Sequence, residues 1–478
     1  MYTKTSFSKA GVRAPAYPML LTPQALRQVF VSCADFQTRT LSLGLQGGRR
    51  AVVCWIDGLV DGGLVSETVV KPLTGALRLG SDESPQRSLE RAMAGAVYSC
   101  AARLRETLDE AVDDLSHGCC LLLIEGLCRA VSFELRSASA RAVSEPTLEK
   151  SIKGARDSFV ETLRVNTALL RRRLCTPALK IVESEVGSHS HTRVALLFLE
   201  GTADPGIVET LCRRLDSLDV EALAAAGELE QALIDVPRSP FPQLLHTERP
   251  DRLAQYLLEG RVGVLVDGLP VAFAAPAGLA DFLRVASELN DHPLIAAALR
   301  LLRWLALGLS LLLPALYTAV ALYHQEMIPT RLLLSVIEAK RAVPFSTALE
   351  VLGMLLSFEL LQEAGLHLPN PIGDTVSIIG ALIVGQSAVE ARIVSPIAII
   401  VVAFAGIAGY TLPSQDLGAA IRLARLGLVG AAIAAGFFGV GAALCLLLLH
   451  LAQIDTLGGS YVDPRGAARP LKKAEGPK

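Results

Sequence analysis

No two cysteines in this chain are spaced as CxxC, although nine are present (Cys33, Cys54, Cys100, Cys119, Cys120, Cys128, Cys175, Cys212 and Cys445). Zinc sites and disulfide frameworks need tighter grouping, so the thiols read as reduced structural residues, and the part that carries eight of them reads as cytosolic. A strong net field is missing too. A formal charge of -2 gives no global attraction for nucleic acid. There is no GxxxxGK[ST], no strand-linked GxGxxG, no HExxH and no GxSxG, and no nucleophile sits with a base. An enzyme is therefore not expected, nor is a cofactor or metal. His189 and His191 flank a serine but lack a third ligand nearby. The first twenty residues hold no apolar export segment, which agrees with a cytosolic start.

Charge itself is absent from Trp304 to Tyr323, twenty positions long enough as a helix to cross the roughly 30 Å apolar core of a bilayer. With 51% hydrophobic and 19% charged residues, the whole chain reads as a hybrid of soluble and membrane parts. Further charge-free runs are Thr375–Val389, Ile393–Leu412 and Gly427–Leu449. The first of these covers only about 22 Å, which suits a re-entrant or tilted element. Arg300 and Arg303 precede the first run, and Arg465, Arg469, Lys472 and Lys473 follow the last. Both ends then belong in the cytoplasm and the crossings number four or six, although Arg422 and Arg425 pull the other way.

The part ahead of Trp304 repeats itself. AVVCWIDGLVDGGLVSETV from Ala51 matches VALLFLEGTADPGIVETL from Val194, with Asp57-Gly58 over Glu200-Gly201 and Asp61 over Asp204. HGCCLLLIEGLCRAVSF from His117 matches EGRVGVLVDGLPVAF from Glu259, with Glu125-Gly126 over Asp267-Gly268. Each copy reads as a buried strand, an acidic-Gly turn, a helix and a later hairpin, with the carboxylates as turn formers and not catalysts. Leu89–Leu115 and Asp157–Arg173 read as helices. The expected architecture is two tandem cytosolic α/β domains followed by an all-α polytopic membrane domain. Its boundaries are a disordered N-terminus at 1–25, domains at 26–148 and 149–292, a membrane part at 293–455 with four to six helices, and a basic cytosolic tail at 456–478.

Two groups of charged residues stand out. Glu350, Glu359 and Glu363 fall in an otherwise apolar segment, and Glu390 sits between two apolar runs beside Arg392. Carboxylates at bilayer depth are costly, so these are candidates for an ion path or its gating; an interfacial amphipathic helix, a carboxylate tied up in packing and, for Glu390, a wet loop are the alternatives. Arg171, Arg172 and Arg173, preceded by Arg164, Arg156 and Lys153, are candidates for contact with a partner or anionic lipid, the alternative being a solvated helix face.

The stretches SPFPQLLHTERPDRLAQYLLEGRVGVLVDGLP, LRLLRWLALGLSLLLPALYTAVALYHQEMIPTRLLLSV and HLPNPIGDTVSIIGALIVGQSAVEARIVSP resemble the spore germination GerA family, in particular its A-type subunit. RVNTALLRRRL and WIDGLVD resemble further family blocks, and the likeness covers roughly residues 30–460. The resemblance implies an integral protein of the spore inner membrane that acts with a B-type transporter-like subunit and a C-type lipoprotein. It implies a homo-oligomer of A-type chains that forms an ion-conducting path and triggers germination when nutrient is sensed. A SpoVAF-type accessory channel subunit, or a membrane-anchored scaffold, is the alternative.

Overall fold

The computed structural model of the chain describes residues 17–43, 49–76, 84–98, 101–136, 149, 154–223, 225–285, 288, 292–366 and 385–463. Lys153, Gly380, most of the Thr375–Val389 run and the basic residues Arg465, Arg469, Lys472 and Lys473 lie outside these. Disorder was expected through residue 25, yet from Tyr17 the chain is placed: Thr22 caps α1 (Pro23–Val29), and Leu21 and Leu26 are buried.

Two antiparallel five-stranded sheets form the part ahead of the long helices. The first holds β1 (Phe36–Leu43), β2 (Arg49–Ile56), β3 (Ala102–Arg105), β4 (Cys119–Ile124) and β5 (Ala130–Glu134) in the order β1-β2-β4-β5-β3. The second holds β6 (Leu179–Val186), β7 (Thr192–Leu199), β8 (Leu245–Thr247), β9 (Val262–Val266) and β10 (Ala272–Ala275) in the order β6-β7-β9-β10-β8. Counted from its own first strand, the second order is the same as the first. Every residue of β4 and β9 is buried, which a central strand covered on both faces requires.

On one face of the first sheet, α2 (Gly62–Val65) and α3 (Pro85–Arg91) pack through Val65 and Leu89; on the other, α1 and α4 (Leu108–Ser116) pack through Leu26, Leu108 and Leu115. In the second, α6 (Pro205–Asp216) and α7 (Ala226–Leu233) contribute Leu211 and Leu229, opposite Leu170 of α5 (Leu163–Arg173) and Leu253 of α8 (Pro250–Leu258). The matched acidic residues serve the backbone. Asp61 and Asp204 cap α2 and α6, each accepting a hydrogen bond at 2.8 Å from the amide two residues on. Gly126 and Gly268 take the left-handed φ of +90° and +89° that their hairpin turns need.

Two helix expectations are corrected. Leu89–Leu115 is not one helix: it contains the end of α3, the strand β3 and most of α4. Asp157–Arg173 is helical only from Leu163, where the Asp267 carboxylate accepts the Leu163 amide at 2.8 Å and fixes the start. Helix α5 is the seam between the sheets, because its Ala168 also lies against the Gly58 turn of the first. Beside it, residues 32–34 pair with Ile181 of β6 through Ala34 N–H to Ile181 O at 2.9 Å and Ile181 N–H to Ser32 O at 3.0 Å.

After the short α9 (Leu279–Phe282) come α10 (Pro293–Tyr323), α11 (Thr330–Lys340), α12 (Thr347–Leu366), α13 (described over 385–390), α14 (Pro396–Tyr410) and α15 (Gln415–Gln453). Helices α10 and α15 are long and apolar enough to cross a membrane. Helix α10 starts before its apolar run, capped by His292, and its Arg300 and Arg303 both bind Glu288. Burial works against the Glu288 carboxylate, but the two guanidiniums outweigh it and hold it below the usual range.

The last apolar run, expected as one span, turns back on itself. Helical geometry breaks at Ala435 (φ -145°, ψ 20°) and Gly436 (φ 59°, ψ -138°), a combination open to glycine alone. A methyl group on Gly439 would overlap the carbonyl oxygen of Ala431, whereas residues eight apart in a straight helix lie about 12 Å apart. The two legs, 415–434 and 437–453, are therefore antiparallel, each about 25–30 Å long. Their open ends both meet the second sheet's domain, Asp416 through His246 and His450 through Ser239. At the turn, the Tyr323 hydroxyl donates to Ile433 O at 2.7 Å and His324 stacks on Phe437. Beyond α15, the strands β11 (Asp455–Thr456) and β12 (Gly459–Ser460) lead to the buried Tyr461, whose carbonyl accepts the Leu279 amide at 2.7 Å. Both ends of the helical part thus face one domain.

Candidate functional site: paired charges on helix α12

Helix α12 carries carboxylates on two faces, and the structure gives each face its own partner helix. Glu350, only 2% exposed, lies one turn into α12. One carboxylate oxygen accepts the Ser395 amide at 2.9 Å, and the other lies 3.7 Å from the Lys340 ammonium at the end of α11, which also meets Thr347. Helix α14 begins at this point, with Ser395 as its cap. The Tyr317 hydroxyl of α10 is next to Ser395 and Glu350, and neither it nor the second Glu350 oxygen completes a hydrogen bond. A charge buried with one incomplete partner is held by its surroundings at a free-energy cost.

Glu359 turns to α15 instead. It accepts from Arg425 Nη2 at 2.7 Å and pairs with Arg422 Nε at 3.2 Å, while Arg422 also donates to Gln362. Arg425 is 3% exposed while Glu359 is half-buried, so the ion pair is buried at its arginine end. Glu363 and Glu390 are exposed, the latter accepting from Gln386 at 2.8 Å. The four carboxylates therefore make one buried contact at Glu350, one half-buried ion pair at Glu359 and two surface positions, not one cluster. Sequence reading used Arg422 and Arg425 only as signs of topology and missed them as ion partners. The usable signal was charge of opposite sign in two apolar segments, Glu359 in one and Arg422 with Arg425 one turn apart in the other.

Of the three arginines expected to meet a partner or anionic lipid, Arg171 is turned inward. Arg171 is 1% exposed and forms a two-pronged ion pair with Asp35, at 2.7 and 2.9 Å, inside the seam between the sheets. Arg172 and Arg173 are exposed, and Arg173 pairs with Asp157. Consecutive helical residues point about 100° apart, so three arginines in a row do not make one patch.

Among the described residues, no three His, Cys, Asp or Glu side chains are grouped so as to hold a metal ion. Opposite charges held at contact in an apolar surround form stable alternatives to hydrated states; such pairs can hold helices together, release them, or line a path for ions.

The sequence profile of the Bacillus/Clostridium GerA spore germination protein family matches residues 24–473. The uncharacterized membrane protein YfkQ of Bacillus subtilis is 34% identical over 93% of this chain and 84% of its own. Spore germination protein KA of the same organism is 32% identical over 94% of this chain and 82% of its own. A solved structure, the N-terminal domain of the A subunit of the Bacillus megaterium spore germinant receptor GerK3, matches at 24% identity with a TM-score of 0.41, covering 53% of this chain and 92% of that one. With two apolar helices fit to cross a membrane and a family match over almost its whole length, the chain belongs to the GerA spore germination protein family.

Proposed function

We propose that this chain is the A-type membrane subunit of a nutrient-sensing germinant receptor. Several copies form an ion-conducting path through their helical parts. The path opens when nutrient binds to a B-type transporter-like partner, with a C-type lipoprotein completing the receptor in the spore inner membrane. Relatives named as spore germination proteins, such as KA and B1 of Bacillus subtilis, favour this reading. The soluble part, read as two copies of one domain because the strand orders agree, faces the cytoplasm or spore core together with the C-terminal end.

The observation that carries the mechanism is Glu350, a carboxylate buried in an apolar bundle with one oxygen unbonded. Such a group is expensive to keep and is usually retained for ion handling or switching. Nutrient binding acts by stabilising one of two helix arrangements more than the other. Spores carrying Glu350→Gln or Glu359→Gln at normal protein level are expected to release potassium at least about tenfold more slowly after nutrient addition, as loss of one charge-assisted contact implies. Unchanged release in both variants would remove α12 from the path and its gate.

A further inference from the structure

The second α/β domain holds the two legs of α15 at their open ends, and in both contacts its partner or its own residue is a histidine. His246 Nε2 on β8 lies 2.8 Å from an oxygen of Asp416 in the first turn of the first leg. Ser239 Oγ lies 2.9 Å from Nε2 of His450 in the last turn of the second leg, whose ring is tilted against Phe241. The far end is secured separately, where Tyr323 packs over Gly436 and bonds the Ile433 carbonyl. One hydrophobic cluster runs without a break from Phe159 and Leu253 in the domain to Leu428 and Val440 in the legs. A shift of the domain therefore moves the legs unless these end contacts let go.

We propose that the His246–Asp416 contact is a proton-operated clamp: protonated His246 locks the domain to the first leg of α15, and loss of that proton frees it. The link from this clamp to ion flow rests on the conducting role proposed above; the clamp itself rests on geometry alone. Electrostatics around His246 supports it. The groups that face it are Asp416 from α15, Glu230 from α7 and Glu149, the last already joined to Arg252 of α8. The paired strand β10 offers only Phe273 at this register and no charge. The hydrogen bond to Asp416 raises the imidazole above its ordinary value, although burial opposes it, and Glu230, itself raised by burial, adds attraction. A raised imidazole stabilises the contact in full below about pH 6.5, the value of a free histidine, and that contribution is lost as pH climbs through the higher folded value. The clamp is closed in mildly acidic surroundings and opens on alkalinisation. The Ser239–His450 contact has no carboxylate in it, so the charge-dependent contact is the one on the first leg.

The test is hydrogen exchange of the full-length chain in detergent at pH 6 and pH 8, corrected for intrinsic rates. Peptides over 415–420 report the clamp and peptides over 431–439 report the turn. His246 and Asp416 keep 39% and 47% of their side chains exposed, so protection at 415–420 is expected to fall about threefold between the two pH values, the scale of a solvent-screened ion pair, while the turn is unchanged. His246→Gln and, separately, Asp416→Asn should remove the step, leaving protection at pH 6 equal to that of the unaltered chain at pH 8. Equal protection of the unaltered chain at both pH values would overturn the proposal even if a variant failed to fold, as would an undiminished step in either folded variant. Exchange is read without ion flow, so a failed conducting role leaves this result standing.

Discussion

Arg171→Met in the full-length chain will lower stability by about 3–5 kcal/mol, the usual effect of leaving one buried charge without its partner. Asp35 is fully buried and has no water to turn to. For a soluble part of this size the loss corresponds to a thermal midpoint lower by about 10 °C, readable by calorimetry in detergent. The double change Asp35→Leu with Arg171→Met should recover most of it, because an apolar pair of similar volume avoids the desolvation that the ion pair must offset. A single variant that melts with the unaltered chain would mean that the seam is open to water. Because the Arg171–Asp35 pair crosses the seam, leaving the Lys180 bond to the Val29 carbonyl at 3.0 Å as a remaining tie, the variant should loosen the two sheets relative to each other before either unfolds.

Gly436→Val is expected to have the second large effect. The backbone there lies in a region that costs a residue with a side chain about 1–3 kcal/mol, and an added Cβ would also press on the Tyr323 ring at 3.1 Å. A valine would tend to continue the helix, carrying the second leg away from the domain and pulling His450 off Ser239. The measurement is the yield of monodisperse protein in detergent together with protease resistance after residue 437. A large drop in both is predicted, and Tyr323→Ala should cause a smaller one. Normal yield and resistance for Gly436→Val would show that the turn is not needed.

Much of the soluble fold was readable because its turns restrict residue type. An acidic residue followed by glycine marks a place where the chain must reverse, and four such places, offset by 143 and 142 residues, pointed to two sheets that share one strand order. Strand β3 was not readable: ALA-ARG-LEU-ARG at 102–105 is short, at a sheet edge and half exposed, so it lacks the apolar run that betrays β4. The α15 turn was hidden for a different reason. Residues 431–441 are apolar throughout, as either a straight span or a hairpin would be, and contacts with Tyr323 and the domain separate the two. Glu350 and Glu359 were legible as unusual because charge is rare in such a segment. Their partners were not, since Lys340, Ser395 and Arg425 come from three other helices whose packing no local pattern encodes.

Helix reversal at 435–436 determines which side of the bilayer every later residue occupies. The most direct measurement is labelling by a membrane-impermeant maleimide, in a background lacking native cysteines, of single cysteines placed at Ala435, Gln415 and Gln453. The hairpin predicts that Gln415→Cys and Gln453→Cys react from one face of the membrane and Ala435→Cys from the other. Reaction of positions 415 and 453 from opposite faces, with position 435 shielded from both, would contradict it.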